Sequence, residues 1–243
     1  MSFYTNVCRY GNTILYRGYN AHGKRIYKRD TDFKPVFYTE SKAHSEWRSL
    51  DGRQIAPIEM DNMREAKNWL DSNRDVAGRK IFGNHKYLQQ YITQRFPRDI
   101  EFRREFIDVG TFDIETEYDD GFPEPAEASQ RILSITYKSS KSKLYHVWGY
   151  GDFNTENSLI QPVRYYRCRD EASLLTKFIE FWYDEDKTPD VITGWNIRFF
   201  DVPYLINRTA KVLSIDACKA FSPWRMVDHR EITRRGKQQV AYD

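Results

Sequence analysis

The chain has 243 residues, 40% hydrophobic and 16% aromatic, and its 38 Lys and Arg against 35 Asp and Glu leave a net charge of +3. That length admits one large domain or two modest ones, the aromatic share provides area for a packed core, and the mild charge permits a polyanionic partner without demanding one. There is no apolar run near the ~18 residues of a membrane span, no signal pattern over Met1–Tyr10 and no Cys-x-x-Cys among Cys8, Cys168 and Cys218. Neither a membrane partner nor a disulfide or zinc framework is expected, and reduced thiols in a cytoplasmic compartment are.

In chain order, strands are predicted at Phe3–Tyr10, Thr13–Tyr19, Arg25–Arg29 and Phe33–Thr39, with Asn20-Ala21-His22-Gly23 as a hairpin turn. A helix capped by Asp61 runs to about Asp71, with Met63, Ala66, Trp69 and Leu70 on one face. A second helix starts near Asn84 and stops by Phe96, because Pro97 disfavours helical geometry before it. The charged stretch Arg98 to Glu105 is the expected boundary between a domain at 1–105 and one at 106–243. Beyond it the spacing predicts strands at Phe106–Thr116, Ile132–Tyr137, Leu144–Trp148 and Val163–Cys168. A helix capped by Asp170 carries Leu174, Leu175, Phe178, Ile179 and Trp182; a buried strand at Val191–Thr193 and a helix from about Asp201 to Val212 follow. The fold class is α/β (α+β): a small α+β domain, then a mixed sheet with helices packed on it, as in ribonuclease H-like nucleases. Val227 to Tyr242 reads as an exposed β-hairpin turning at Arg234-Arg235-Gly236-Lys237, with few apolar anchors. The basic run Arg225, Arg230, Arg234, Arg235 and Lys237 suits phosphates or, equally, a solvated chain end.

Two motifs carry chemistry. In Phe112-Asp113-Ile114-Glu115-Thr116, strand alternation turns Asp113 and Glu115 to one face and Phe112 and Ile114 to the core. Paired carboxylates there are tolerable beside a divalent cation, and all-oxygen ligands suit Mg²⁺ or Mn²⁺. Alone, Asp-x-Glu is weak evidence, and a strand end with solvated acids is the simpler reading. The second motif, Gly194-Trp195-Asn196-Ile197-Arg198-Phe199-Phe200-Asp201, enters a helix; Asp201 is a third acid or an N-cap, and Asn196 a turn residue or a donor to substrate.

Together they resemble the first two exonuclease motifs of family-B DNA polymerases, Asp-x-Glu and Asn-x-x-x-Phe-Asp. Gly121-Phe122-Pro123-Glu124-Pro125, Lys187-Thr188-Pro189 and Arg64-Glu65-Ala66 are similar to segments of the T-even-like phage members, so the resemblance covers nearly the whole chain. It implies a polymerase N-terminal domain followed by a 3′-to-5′ proofreading exonuclease that hydrolyses the 3′ end of single-stranded DNA in the cytoplasm of an infected bacterial host. Asp113, Glu115 and Asp201 take the places of catalytic metal ligands for two Mg²⁺ or Mn²⁺ ions ~3.5–4 Å apart. Asn196 and Phe200 take those of residues near the terminal nucleotide. Phe122 suits stacking on an unpaired base or, equally, anchoring its loop against prolines. The resemblance also implies that the hairpin, with Arg230, Arg234, Arg235 and Lys237, meets the primer–template, and that RNA is a further partner of the N-terminal region.

The family's third motif, Tyr-x-x-x-Asp, is expected after the second. The one match, Tyr166 to Asp170, precedes it, and Asp170 reads as a helix cap. The one Asp-Thr-Asp, Asp30-Thr31-Asp32, precedes both exonuclease motifs, so no polymerase palm motif is expected here. The expectation is therefore a polymerase piece cut before the third motif, weak or inactive alone. The alternatives are a non-catalytic nucleic-acid-binding module and a subunit docking the rest of a split polymerase.

Overall fold

Three strand-forming segments from Phe3 to Asp30, separated by polar turns, pair as an antiparallel meander of β1 (Phe3–Tyr10), β2 (Thr13–Tyr19) and β3 (Arg25–Asp30), with β2 buried between its neighbours. The computed structural model describes residues 2–118, 121–159, 162–184, 186–234 and 236–242, without the side chains of Arg234, Lys237 and Gln238. It divides into two units, Met1–Phe106 and Ile107–Asp243.

In the first unit the Asn20 side chain accepts from the backbone N–H of His22 and of Lys24, both at 2.9 Å, which closes the β2–β3 turn. Gly18 lets β1 approach, since a Cβ there would sit 2.2 Å from the Phe3 carbonyl oxygen. A second sheet places β4 (Val36–Glu40) between β5 (Ile55–Glu59) and β6 (Ile81–Phe82). The sequence pattern missed both flanking strands. β5 contains Pro57, tolerated because the strand is an edge, and β6 is only two residues long.

Helix α1 (Met63–Asn73) buries Met63, Ala66 and Leu70 as expected, but its cap is Asn62 rather than Asp61. The Asn62 oxygen accepts from Arg64 N–H and Glu65 N–H, each at 3.0 Å. Helix α2 (Tyr87–Arg95) starts three residues later than Asn84, whose side chain instead accepts from Lys86 N–H in a local turn. Two small cores result, one around Ile14, Tyr16, Phe33, Met63 and Tyr91, the other around Phe37, Met60, Ala66 and Leu70.

The second unit is a five-stranded mixed sheet in the order β10-β9-β8-β7-β11, built from β7 (Val109–Thr116), β8 (Ile132–Ser139), β9 (Tyr145–Tyr150), β10 (Val163–Cys168) and β11 (Val191–Thr193). β7–β8 and β8–β9 are antiparallel, β9–β10 and β7–β11 parallel. β7 starts at Val109, not Phe106, because Arg104–Phe106 winds into a 3₁₀ turn. Helix α3 (Glu171–Tyr183) has the expected Asp170 cap, as a capping box with Ser173. It buries Leu174, Leu175, Phe178 and Trp182 against Phe112, Ile114, Ile135, Tyr137 and Trp148. Tyr166, from the discounted Tyr-x-x-x-Asp, packs against this core, and its hydroxyl meets His146 Nδ1 at 2.9 Å.

The expectation for β11 also fails. Val191–Thr193 is a three-residue edge strand rather than a buried one, with Val191 and Ile192 47% and 41% exposed. Helix α4 (Asp201–Val212), a short α5 (Ile215–Cys218) and a hairpin of β12 (His229–Arg234) and β13 (Lys237–Tyr242) complete the unit. Gly236 takes the left-handed turn position at φ 78°, and Arg235 lies outside the described residues. The hairpin is less free than its composition predicts. Ala241 is fully buried, and the Tyr242 hydroxyl donates to Asn207 Oδ1 on α4 at 2.6 Å. Among the described residues no helix is long and apolar enough to cross a membrane.

Candidate active site

Strand alternation places the first two acids as the sequence dictates. Phe112 and Ile114 are buried, while Thr111, Asp113 and Glu115 are exposed on the opposite face of β7. The β7–β11 ladder spans only Val109–Thr111, so the β11 side of β7 is unpaired further along. Gly194 follows β11 and passes close to Phe112, since a Cβ on it would stand 2.9 Å from the Phe112 carbonyl oxygen. Asn196 then adopts φ 51°, a left-handed conformation Asn tolerates, and its carbonyl accepts from Phe199 N–H and Phe200 N–H.

This turn delivers Asp201 into the first turn of α4, 3% exposed, where Oδ1 accepts from Ile114 N–H at 3.1 Å. The carboxylate thus satisfies a backbone donor that β11 leaves unpaired. It does not cap its own helix: the cap position is Phe200, which has no side-chain cap bond. Burial first, with the charges of Asp113 and Glu115 adding, raises the Asp201 pKa to about 6.

Asp201 is therefore electrostatically joined to both acids of the first motif. Among the described residues, no three His, Cys, Asp or Glu side chains are grouped closely enough to hold a metal ion. The donors nonetheless fit a hard divalent cation: all are carboxylate oxygens, two are exposed, and the third is a buried acid whose ionisation a nearby cation would favour.

Phe122, Asn196 and Phe200 come together in a cleft of about 470 Å³. Phe122 is 79% exposed and its ring centre lies 5.1 Å from that of Phe200, so its contact is with an aromatic ring of the second motif. The far wall is the hairpin, through Glu231, Gln239 and Val240, three residues the sequence reading did not single out. Of the basic run, Arg225 lies over the Tyr183 ring at 4.4 Å and Arg230 is on β12. The side chains of Arg234, Arg235 and Lys237 lie outside the described residues.

Helix α4 also presents a face of polar groups to the segment after β7. Tyr204 donates to Gln130 O, Asn207 to Pro125 O, and Arg208 to Ala128 O and Ser129 O. Lys211 donates to Glu127 O. The signal was present as polar residues at 204, 207, 208 and 211, the three-to-four spacing of one helix face.

Residues 63–241 match the family model of the DNA polymerase family B exonuclease domain. The chain belongs to this family. It is 28% identical to the DNA-directed DNA polymerase of Enterobacteria phage T4 over 243 residues, 91% of this chain and 26% of the phage protein. With the DNA-directed DNA polymerase of Escherichia phage RB69 it is 27% identical over 248 residues, 92% of this chain and 27% of that protein. A segment aligned over 49 residues is 51% identical to the DNA polymerase delta catalytic subunit of Caenorhabditis elegans, covering 20% of this chain and 4% of that protein. The chain spans about a quarter of the length of its two phage relatives. Its mixed α/β sheet is in keeping with the ribonuclease H-like exonuclease domain of family-B polymerases.

Proposed function

We propose that the second unit is the 3′-to-5′ exonuclease of a phage-type DNA polymerase, acting on single-stranded 3′ ends in an infected bacterial host, and that the first unit is the polymerase's N-terminal domain. The observation that carries the reading is the buried Asp201, fixed by Ile114 N–H and electrostatically joined to Asp113 and Glu115. In this reading Asp113, Glu115 and Asp201 would hold Mg²⁺ or Mn²⁺, which when bound would supply activation of the attacking water and charge stabilisation at the leaving 3′ oxygen. Asp113 and Glu115 are open to solvent and to substrate, while Asp201, anchored through β7, keeps the second motif beside the first. Phe122 offers a ring face to an unpaired base, with the Phe200 ring tilted against it and Asn196 nearby as a hydrogen-bonding group.

The test is release of a 3′ label from single-stranded DNA with Mg²⁺. With three acids and no later Tyr-x-x-x-Asp in this sequence, the chain by itself is expected to hydrolyse slowly. Asp113→Asn and Glu115→Gln should each lower the rate further, at least about a hundredfold, by removing a charged ligand. An unchanged rate in both variants would refute the assignment.

The hairpin's role in meeting DNA is part of the same proposal. Replacing Arg230, Arg234, Arg235 and Lys237 together by Ala should weaken binding of a primer–template and flatten its salt dependence. Each lost phosphate contact lowers the slope by about 0.7–0.9. An identical slope would show that these cations face solvent only.

A further inference from the structure

On the core side of β7, the face away from Asp113 and Glu115, lies a pocket of about 180 Å³. Phe112, Phe178, Trp182 and Leu205 line it and are all buried, whereas Ile192, 41% exposed, marks where it meets solvent. The opening follows from the sheet order. β11 is the edge strand, so among the described residues no further strand lays side chains over Ile192.

The walls decide what can enter. Among the described residues no Asp, Glu, His, Lys or Arg lines the pocket. The polar side-chain atoms that do are turned to the protein. Trp182 Nε1 donates to Phe221 O at 3.1 Å, the Tyr242 hydroxyl donates to Asn207 Oδ1 at 2.6 Å, and Ser222 Oγ accepts from Trp224 N–H at 3.2 Å. A buried water needs two to four polar partners, and a charged solute would leave its hydration behind without compensation. Size sets the other limit. An apolar cavity of about 150 Å³ stays dry and accepts benzene, so this pocket has room for one ring with a small substituent. The rings of Phe112, Phe178 and Trp182 meet pairwise with centres 5.7 to 6.3 Å apart, a spacing at which a further ring can join edge to face. Met226, on another side of the pocket, can adjust its thioether to the guest.

The pocket also touches both elements that fix the buried acid. Phe112 on β7 directly precedes Asp113, and Val202 on α4 directly follows Asp201. The same two elements are joined by the bond from Ile114 N–H to Asp201 Oδ1 at 3.1 Å. A guest packed on Phe112, Val202 and Leu205 loses those contacts whenever α4 lifts from β7.

We propose that this pocket binds one small uncharged aromatic ring, and that the bound ring clamps α4, with its Asp201, onto β7. The clamp is independent of whether the acids hold a metal.

The test uses the full chain in EDTA, with toluene as the probe and benzoate as a ring of similar size that carries a charge. Toluene should shift the methyl NMR signal of Met226, identified by its loss in Met226→Leu, in a saturable way, and benzoate at the same concentration should not. At a toluene concentration equal to its Kd, exchange of the Ile114 amide should slow about twofold, because opening must first release the ring. Exchange at Tyr16 in the first unit should not change. Val202→Phe should fill the pocket, abolish the toluene response of Met226 and slow Ile114 exchange without any ligand. Where that larger core side chain prevents folding, Ile192→Trp at the exposed rim serves instead, and should weaken toluene binding at least about fivefold while leaving ligand-free Ile114 exchange unchanged. Absence of a saturable Met226 shift, or an equal shift with benzoate, overturns the site. A saturable shift with unaltered Ile114 exchange overturns the clamp. None of these readouts requires hydrolysis, so either result leaves the nuclease reading to its own test.

Discussion

Asp201→Asn is expected to make the chain more stable and to abolish its hydrolysis. Folded Asp201 keeps its proton up to about pH 6, whereas an unfolded Asp releases it near pH 4. Between those values the folded state binds more protons, so stability falls as pH rises through that window and does not recover above it. The contribution is full below about pH 4 and lost above about pH 6. The uncharged amide avoids this loss, and its oxygen can still accept from Ile114 N–H. In EDTA at pH 7–8 the variant should gain about 1–3 kcal/mol, roughly 2–10 °C in Tm, and the gain should vanish near pH 4. Mn²⁺ should raise the Tm of the unsubstituted chain, because a cation bound only by the folded state stabilises it, and should raise that of the variant much less. Matching Tm values for the two proteins in EDTA from pH 4 to pH 8 would contradict the buried, charge-crowded setting of Asp201. The acid is thus a cost in the metal-free fold, set beside a strand where an amide residue, which still accepts from Ile114 N–H, would be more stable.

The site was legible in the sequence to unequal degrees. Period-two alternation was enough to expose Asp113 and Glu115 and bury Phe112 and Ile114, because a strand has only two faces. The Asp170 cap and the apolar stripe of α3 were readable for the same reason, as local rules acting within one element. Asp201 was ambiguous because a helix-start acid reads as a cap. Only the pairing of β7, which leaves Ile114 N–H without a strand partner, decides that the carboxylate turns to the sheet. β11 was misread because a short Val-Ile-Thr run carries no information on whether it lies at the edge of a sheet. The strands β5 and β6 escaped because Pro57 and a length of two residues remove the usual signals. The hairpin wall of the cleft and the Asn207 contacts join residues more than thirty positions apart, where no spacing rule reaches.

Arg208→Ala is expected to cost about 3–5 kcal/mol, because it strands a buried charge. The Arg208–Glu171 pair is nearly out of water, with side chains 14% and 7% exposed, and meets at 2.7 and 2.8 Å through two parallel bonds. Glu171 also accepts from Ile132 N–H at 2.8 Å, so the pair ties α3, α4 and the start of β8 together. Arg208 further donates to Ala128 O and Ser129 O. Ala128 is fully buried and sits at φ 41°, a conformation a non-glycine residue adopts only when its surroundings hold it there. Truncating Arg208 leaves Glu171 with one backbone donor, unpairs the Ala128 carbonyl and frees the strained turn at once. Urea unfolding should show the loss as a lower midpoint with little change in slope. Replacing both partners, as Arg208→Met with Glu171→Leu, should recover much of the stability, since apolar groups of similar volume commonly match or exceed a buried ion pair. Hydrolysis should not recover in parallel. The carbonyls at 128 and 129 remain without their donor, and the turn at 128–129 stays loosened although Tyr204, Asn207 and Lys211 still hold its flanks, so binding of single-stranded DNA should remain weakened in the double variant. A loss below about 1 kcal/mol for Arg208→Ala would place the pair among solvent-screened surface bridges and remove it as the anchor of that segment.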